Sequence, residues 1–221
     1  MSTKSKVAVI GLGNIGSIVA SNLVKGNRSI IVADRTFDKA KNYAEELGSL
    51  AEPQEIADAI QNADIIVLAL WFNTIQEFFG TYATALQNKI IVDPSNPIAP
   101  DENGGFKKII GEHESAGQIL SSLLPKGAKL AKALGSLGAG SLADAAFRQP
   151  EKAVLFYATD DTSINVKIEE LIHDNGFEPV RIGKIEESIR MEVFGDLHEF
   201  GALAKTITLS EASNLSLESS L

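Results

Sequence analysis

Short stretches without any polar face alternate along this chain with stretches whose apolar residues recur every three or four positions. The first kind comprises Val7 to Ile10, Ile30 to Ala33, Ile65 to Leu70, Ile90 to Val92, Leu130 to Leu134, Ala153 to Ala158 and Val180 to Ile182. Runs of this length and composition are expected of parallel strands covered on both faces. Ser49 to Ala51 is a candidate for a further short strand. The second kind predicts helices. Ile15, Ile18, Val19 and Leu23 make one stripe, ended by Gly26. A helix over 37–47 has Thr36 as its N-cap and Gly48 as its stop. Others are expected over 53–62, with Pro53 in the first turn, and over 74–87, capped by Asn73 and carrying Ile75, Phe78, Phe79, Tyr82 and Leu86 on one face. Two more fall over 115–124, before Pro125, and over 163–175, before Gly176. Ile189, Val193, Leu197, Phe200, Ala204 and Ile207 continue the helical step and predict one long helix over 185–209. The proline-rich 93–100 reads as a loop, 102–111 as a mobile connector, 135–140 as a flexible segment and the tail from Ser210 as frayed.

Strands alternating with helices imply an α/β fold, a doubly wound parallel sheet with helices on both faces. The expected division is a nucleotide-binding domain over 1–150 and a small C-terminal α/β extension over 151–221. In such a sheet the ligand crevice lies at the carboxyl ends of the strands. The loops that matter are therefore 11–16, 34–39, 70–74, 93–100 and 134–140.

The first of these loops carries Gly11, Gly13 and Gly16 in the spacing G-x-G-x-x-G, directly after a strand and at the start of a helix. The first glycine permits a tight turn, the second lets the backbone approach a pyrophosphate, and the third allows close packing of helix on strand. Asn14 and Ile15 open the helix. Asp34 ends the second strand roughly 20 residues on, at the reach of an adenine ribose. This stretch reads as a dinucleotide site. An acid at 34 favours NAD, whereas Arg35 with Lys39 one turn later makes a cationic fork for the 2′-phosphate of NADP, beside Thr36. The two signals conflict.

Composition narrows the chemistry further. The chain has 221 residues, a formal net charge of −9 and no cysteine. That balance argues against nucleic acid or an anionic membrane as a partner, and it excludes disulfides and thiolate chemistry. No apolar run approaches a spanning length and the polar N-terminus is no signal peptide, so a cytoplasmic location is expected. The three histidines, His113, His173 and His198, have no metal-ligand spacing, and no metal is expected. His113 and His198 are candidate general acids, or else ordinary solvated side chains. Trp71 follows a strand inside the expected crevice, either as core packing or as a flat wall beside a planar ring.

Over nearly its full length the chain resembles the small NADP oxidoreductases related to the reductase of the deazaflavin coenzyme F420. A similar domain precedes the membrane helices of metalloreductases. The resemblance is carried by VAVIGLGNIG (7–16), DRTFDKA (34–40), ADIIVLALWF (63–72), IIVDPSNPI (90–98), LPKGAKLAKAL (124–134), and NGFEPVRIG with SIRME (175–192). It implies a Rossmann fold, with Arg35 and Lys39 on the 2′-phosphate and NADP rather than NAD as cofactor. It also places Leu70, Trp71, Asn96 and Pro97 on the cofactor, and Trp71, Ile98, Leu134 and Ser136 on the substrate side. The chain departs from the family at Asp34, where a small polar residue is usual, so NAD stays open. Leu70-Trp71-Phe72 replaces a Val-Pro-Tyr type loop. Leu134-Gly135-Ser136 stands in place of Phe-Asn-Thr and lacks its amide.

The function implied is hydride transfer between NADP(H) and a small planar redox partner, namely a deazaflavin, a flavin or a quinone-like ring. Reduction of a small carbonyl or imine is the alternative, as is a non-catalytic NADP(H) sensor. A homodimer joined through the helix over 185–209 is a further expectation.

Overall fold

The computed structural model describes residues 4–102 and 104–215. Eight strands form one sheet: β1 (Val7–Ile10), β2 (Ile30–Ala33), β3 (Ala51–Pro53), β4 (Ile65–Leu68), β5 (Ile90–Asp93), β8 (Lys129–Ala133), β9 (Val154–Ala158) and β10 (Glu178–Gly183). Their order is β10-β9-β8-β5-β4-β1-β2-β3. β1 lies between β2 and β4, so the chain runs outward in both directions from this point. The crevice of a doubly wound sheet opens at such a switch.

The apolar runs pair as expected of buried parallel strands, with Val7 opposite both Ile30 and Ile65. Alternate side chains serve opposite faces. Val7 and Val9 join the core under α1 (Asn14–Lys25), α2 (Phe37–Leu47), α6 (Ala139–Asp144) and α7 (Asn165–Asp174). Ala8 and Ile10 join that under α3 (Ile56–Asn62), α4 (Phe72–Thr81) and α5 (Ala116–Ser122).

The sheet is mostly parallel, with one exception. β9 runs antiparallel to β8, pairing Lys132 with Ala158 and Ala133 with Tyr157. Between them lies only α6, tied to α1 by a bond from the Asn22 amide to Leu142 O. The chain thus stays at the carboxyl edge of β8 and must re-enter the sheet pointing down. β10 then pairs parallel with β9.

Several local expectations are corrected. Pro53 ends β3 instead of starting a helix, and α3 begins at Ile56. Trp71, not Asn73, occupies the N-cap of α4, which ends at Thr81 instead of reaching 87. The loop at 93–100 and the connector at 102–111 contain a hairpin, β6 (Ile98–Pro100) against β7 (Phe106–Lys108), turned by Gly104 and Gly105 at positive φ. The segment 135–140 runs into α6.

The long helix over 185–209 does not form. A 3-10 turn (Ile185–Glu187) leads into α8 (Ser188–Met191), then turns, then α9 (Leu209–Ala212). Phe194 sits at φ 75 and Ala204 at φ 55, and a Cβ on Gly201 would lie 1.8 Å from Gly195 O, so the segment folds back on itself. Its apolar residues are spent on a third cluster, in which Met191, Leu197, Ile207 and Ala212 cover Val154, Phe156 and Ile182. The start of the expected frayed tail is α9, closed by a capping box between Thr208 and Glu211, and the tail's last residues, 216–221, lie outside the described residues.

Candidate functional site

The loops after β1, β2, β4, β5 and β8 meet at the carboxyl edge, and the glycine turn sits at their centre. Gly11 has φ +92, and a Cβ there would fall 2.6 Å from Ala69 O. A Cβ on Gly16 would fall 1.8 Å from Gly11 O. Both glycines are demanded by the fold. Gly13 differs: its φ is −81 and nothing lies within 4 Å of where a Cβ would stand. It occupies the N-cap of α1 without a capping side chain, Asn14 beside it is exposed, Ile15 packs toward the core, and no acidic residue enters the first turn. Such a helix start presents unpaired N–H groups and the positive end of the dipole to an anion.

Asp34 ends β2 and faces this turn. Its Oδ2 accepts the Leu12 N–H at 2.8 Å and the Lys39 ammonium at 3.1 Å, and its Oδ1 accepts the Thr36 N–H at 3.3 Å. Burial raises the pKa of this carboxyl, but the Leu12, Lys39 and Thr36 donors outweigh it and hold the group below the ordinary aspartate value. Arg35, Thr36 and Lys39 are exposed along the same turn, and the Thr36 hydroxyl makes no capping bond although it sits at the N-cap of α2. Tyr43 O–H donates to Ser17 O at 2.6 Å and pins α2 against α1.

Leu70 reaches the glycine turn, its Cδ2 2.7 Å from the Cβ that Gly11 lacks, and Trp71 stands 59% exposed beside it. The remaining loops are knitted together. The Asn96 amide donates to Gly135 O at 3.1 Å, and its Oδ1 accepts Val193 N–H at 2.7 Å. Both of its polar atoms are thereby engaged within the protein. Pro97 is buried, Ile98 is half-buried at the start of β6, and Leu134 is buried at φ 65. Ser136 is buried too, and its hydroxyl, like that of Ser95, has no partner.

Three features were not read from the sequence. Lys132 and Asp93 form a buried ion pair. Glu192, 2% exposed, accepts the N–H groups of Ala116 and Gly117 at 3.0 Å each and caps α5 from a distant segment. Glu199 does the same for α6, taking the Gly138 N–H at 2.8 Å, while its own N–H donates to Ser136 O. Residues 192–199 thus strap the crevice loops. His198 belongs to this strap. It is 1% exposed, its Nδ1 accepts the Phe200 N–H at 2.9 Å, and Nε2 is buried without a hydrogen-bond partner. Burial, with the nearby Lys132 charge, depresses its pKa to about 4. It is therefore a neutral buried group, not a solvated one. His113 is exposed, outside the five crevice loops. Among the described residues no three His, Asp or Glu side chains gather as a metal site, and no helix is long and apolar enough to cross a membrane.

A glycine turn at the switch point, a helix start open to an anion and the exposed Arg35 beside Asp34 give this crevice the layout of a Rossmann-type dinucleotide site. Residues 6–97 match the family described as NADP oxidoreductase, coenzyme F420-dependent. This agrees with the resemblance carried by the motifs. Among curated relatives, the rat metalloreductase STEAP3 is 26% identical over 187 residues, which are 85% of this chain and 36% of that protein. A glutamyl-tRNA reductase of Methanococcus maripaludis is 31% identical over 105 residues, 46% of this chain. The chain spans only about a quarter of that enzyme's length (27%). In three dimensions it resembles a candidate F420-dependent NADP reductase from Arthrobacter sp. FB24, with a TM-score of 0.71 at 20% identity, covering 83% of this chain and 87% of the other.

Proposed function

We propose that the chain is an NADP(H)-dependent oxidoreductase that passes hydride between the nicotinamide and a planar redox acceptor, a deazaflavin, flavin or quinone-like ring. Gly13 carries the reading of a bound dinucleotide. The fold has no need of glycine there, since its φ is ordinary and the space for a side chain is open. That space is what a pyrophosphate requires of the second glycine in this turn. NADP over NAD is supported by the exposed Arg35, Thr36 and Lys39, which together suit a 2′-phosphate, while the Asp34 carboxylate is already satisfied from within.

When bound, the nicotinamide supplies or takes the hydride, and the chain's own work is to hold, orient and shield. Trp71 and Leu70 would flank the ring, and exposed Phe194 on the strap and Phe200 just after it add further planar surface near the loops after β5 and β8. His198 stays neutral across the ordinary pH range and is sealed from solvent, so acid–base chemistry has little to work with here. Hydride transfer between two stacked rings depends mainly on proximity and orientation. The net charge of −9 supports a small-molecule partner over nucleic acid.

Calorimetric titration with NADPH and NADH, on wild type and on Arg35→Ala, tests the cofactor. Tighter NADPH binding that falls about tenfold in the variant, with NADH unchanged, is expected from loss of one charge-assisted phosphate contact. Preference for NADH would overturn the NADP assignment. NADPH oxidation is then followed with coenzyme F420, FMN and a naphthoquinone. Binding without turnover on any of them would reassign the chain as an NADP(H) sensor.

A further inference from the structure

A carboxylate at the end of the second strand is ordinarily read as the partner of the adenine ribose hydroxyls, and as a barrier to a 2′-phosphate. In this chain the bonds of Asp34 run inward instead. The short one, 2.8 Å, holds the N–H of Leu12, the residue between Gly11 and Gly13. A second, on the other oxygen, holds the N–H of Thr36 at the start of α2, and the side chain is only 14% exposed. One carboxylate thus joins the turn that faces the pyrophosphate to the turn that faces the adenine ribose. Its charge is met by the Lys39 ammonium at 3.1 Å.

We infer that Asp34 is a positioning residue that sets the shape of the glycine turn through Leu12 and does not choose between NAD and NADP. The choice is left to Arg35, Thr36 and Lys39. This inference rests on the dinucleotide reading above and separates two roles that its position would otherwise merge. A residue that shapes the pyrophosphate turn affects both cofactors alike, because both carry the pyrophosphate. A residue that reads the ribose affects them in opposite directions, because removing it takes hydroxyl contacts from NADH and relieves repulsion of NADPH. Repulsion of a 2′-phosphate by the carboxylate is opposed by the Lys39 ammonium that it holds at 3.1 Å.

The test is the Kd of NADPH and of NADH, by calorimetry, for wild type, Asp34→Ala and Asp34→Asn. Asp34→Ala is expected to weaken both cofactors about tenfold while their ratio moves by threefold or less. Asp34→Asn, which keeps an oxygen for the Leu12 N–H, is expected to recover most of the loss for both. That rescue also separates an effect on the turn from general unfolding, which a melting curve of each variant reads directly. Three results would overturn the inference. One is a ratio shifted tenfold or more toward NADPH in Asp34→Ala. Another is unchanged affinity for both cofactors. The last is an Asp34→Asn variant as impaired as Asp34→Ala. A wild-type protein that binds neither cofactor would instead overturn the dinucleotide reading itself.

Discussion

Asp93 and Lys132 meet at 2.7 Å between β5 and β8, with side chains 0% and 2% exposed. They are direct partners in the strand register. Asp93 also takes the Ser95 N–H at 2.7 Å, and the Lys132 ammonium donates to Ser95 O. The pair therefore fixes the path of the loop leaving β5, the loop that carries Asn96 and Pro97 into the crevice. A buried pair of this kind adds little net stability as a whole, since desolvation offsets attraction, but breaking it leaves a charge without a partner. Lys132→Met should lower unfolding stability by about 3–5 kcal/mol. Adding Asp93→Asn to it should restore part of the loss. Urea denaturation of both variants checks this, and a double variant less stable than the single one would show that the two groups do not act as a pair.

Gly13 and Gly16 give the sharpest contrast between fold and ligand. Gly16→Ala drives a methyl group to 1.8 Å from Gly11 O, where the only relief is to move the turn itself. A loss of about 1–3 kcal/mol or more is expected, as for overpacking in a rigid site. Gly13→Ala meets nothing. Its melting temperature should match wild type, while NADPH affinity falls at least about tenfold, near 1.4 kcal/mol. Undiminished NADPH binding by Gly13→Ala would mean that the cofactor's backbone does not pass this residue.

What could be read from the sequence, and what could not, follows from the range of the interactions. The strands β1, β2, β4 and β5, the glycine turn and the end of β2 were legible because apolar runs and glycine spacing are local signals that the sheet reinforces, whereas β3 (Ala51–Pro53), expected over 49–51, has no apolar run to mark it. The segment 185–209 was not. Its apolar residues keep helical spacing, yet Met191, Leu197 and Ile207 are used singly against β9 and β10, and no local signal distinguishes that use from a helix face. The antiparallel entry of β9 depends on where α6 docks, which is a tertiary fact. The site shows the same division. Arg35 and Lys39 lie beside the motif in sequence. The carboxylate of Glu192 reaches a helix 75 residues away, and the Asn96 side chain accepts the N–H of Val193, 97 residues on.

The strap makes its own prediction. Glu192 accepts two N–H groups at the start of α5 and also the Ser188 hydroxyl at 3.2 Å, all of them buried. Glu192→Ala leaves those donors unsatisfied, at a cost of about 1–3 kcal/mol for an orphaned buried group. Hydrogen exchange should accelerate first at Ala116, Gly117 and Val193, because the cap and the Val193–Asn96 bond lie on adjacent residues. Uniform acceleration across the sheet would place the effect in global unfolding instead of in release of the strap.

His198 gives the pH dependence a sign. Burial, reinforced by the Lys132 charge, holds its folded pKa at about 4, below the ordinary 6.5. The unfolded chain therefore binds a proton more readily than the folded one between these values. The contribution to stability is complete above pH 6.5 and is lost as the pH falls toward 4, where the loss levels off. The interval corresponds to about 3 kcal/mol. The measurement is a difference between wild type and a variant that lacks the imidazole. Unfolding free energies of wild type and His198→Gln should run parallel above pH 6.5 and converge or cross below it, as only the wild type has an imidazole to charge on unfolding. Curves that stay parallel down to pH 4 would show that His198 takes up its proton as easily in the folded protein as in the unfolded chain.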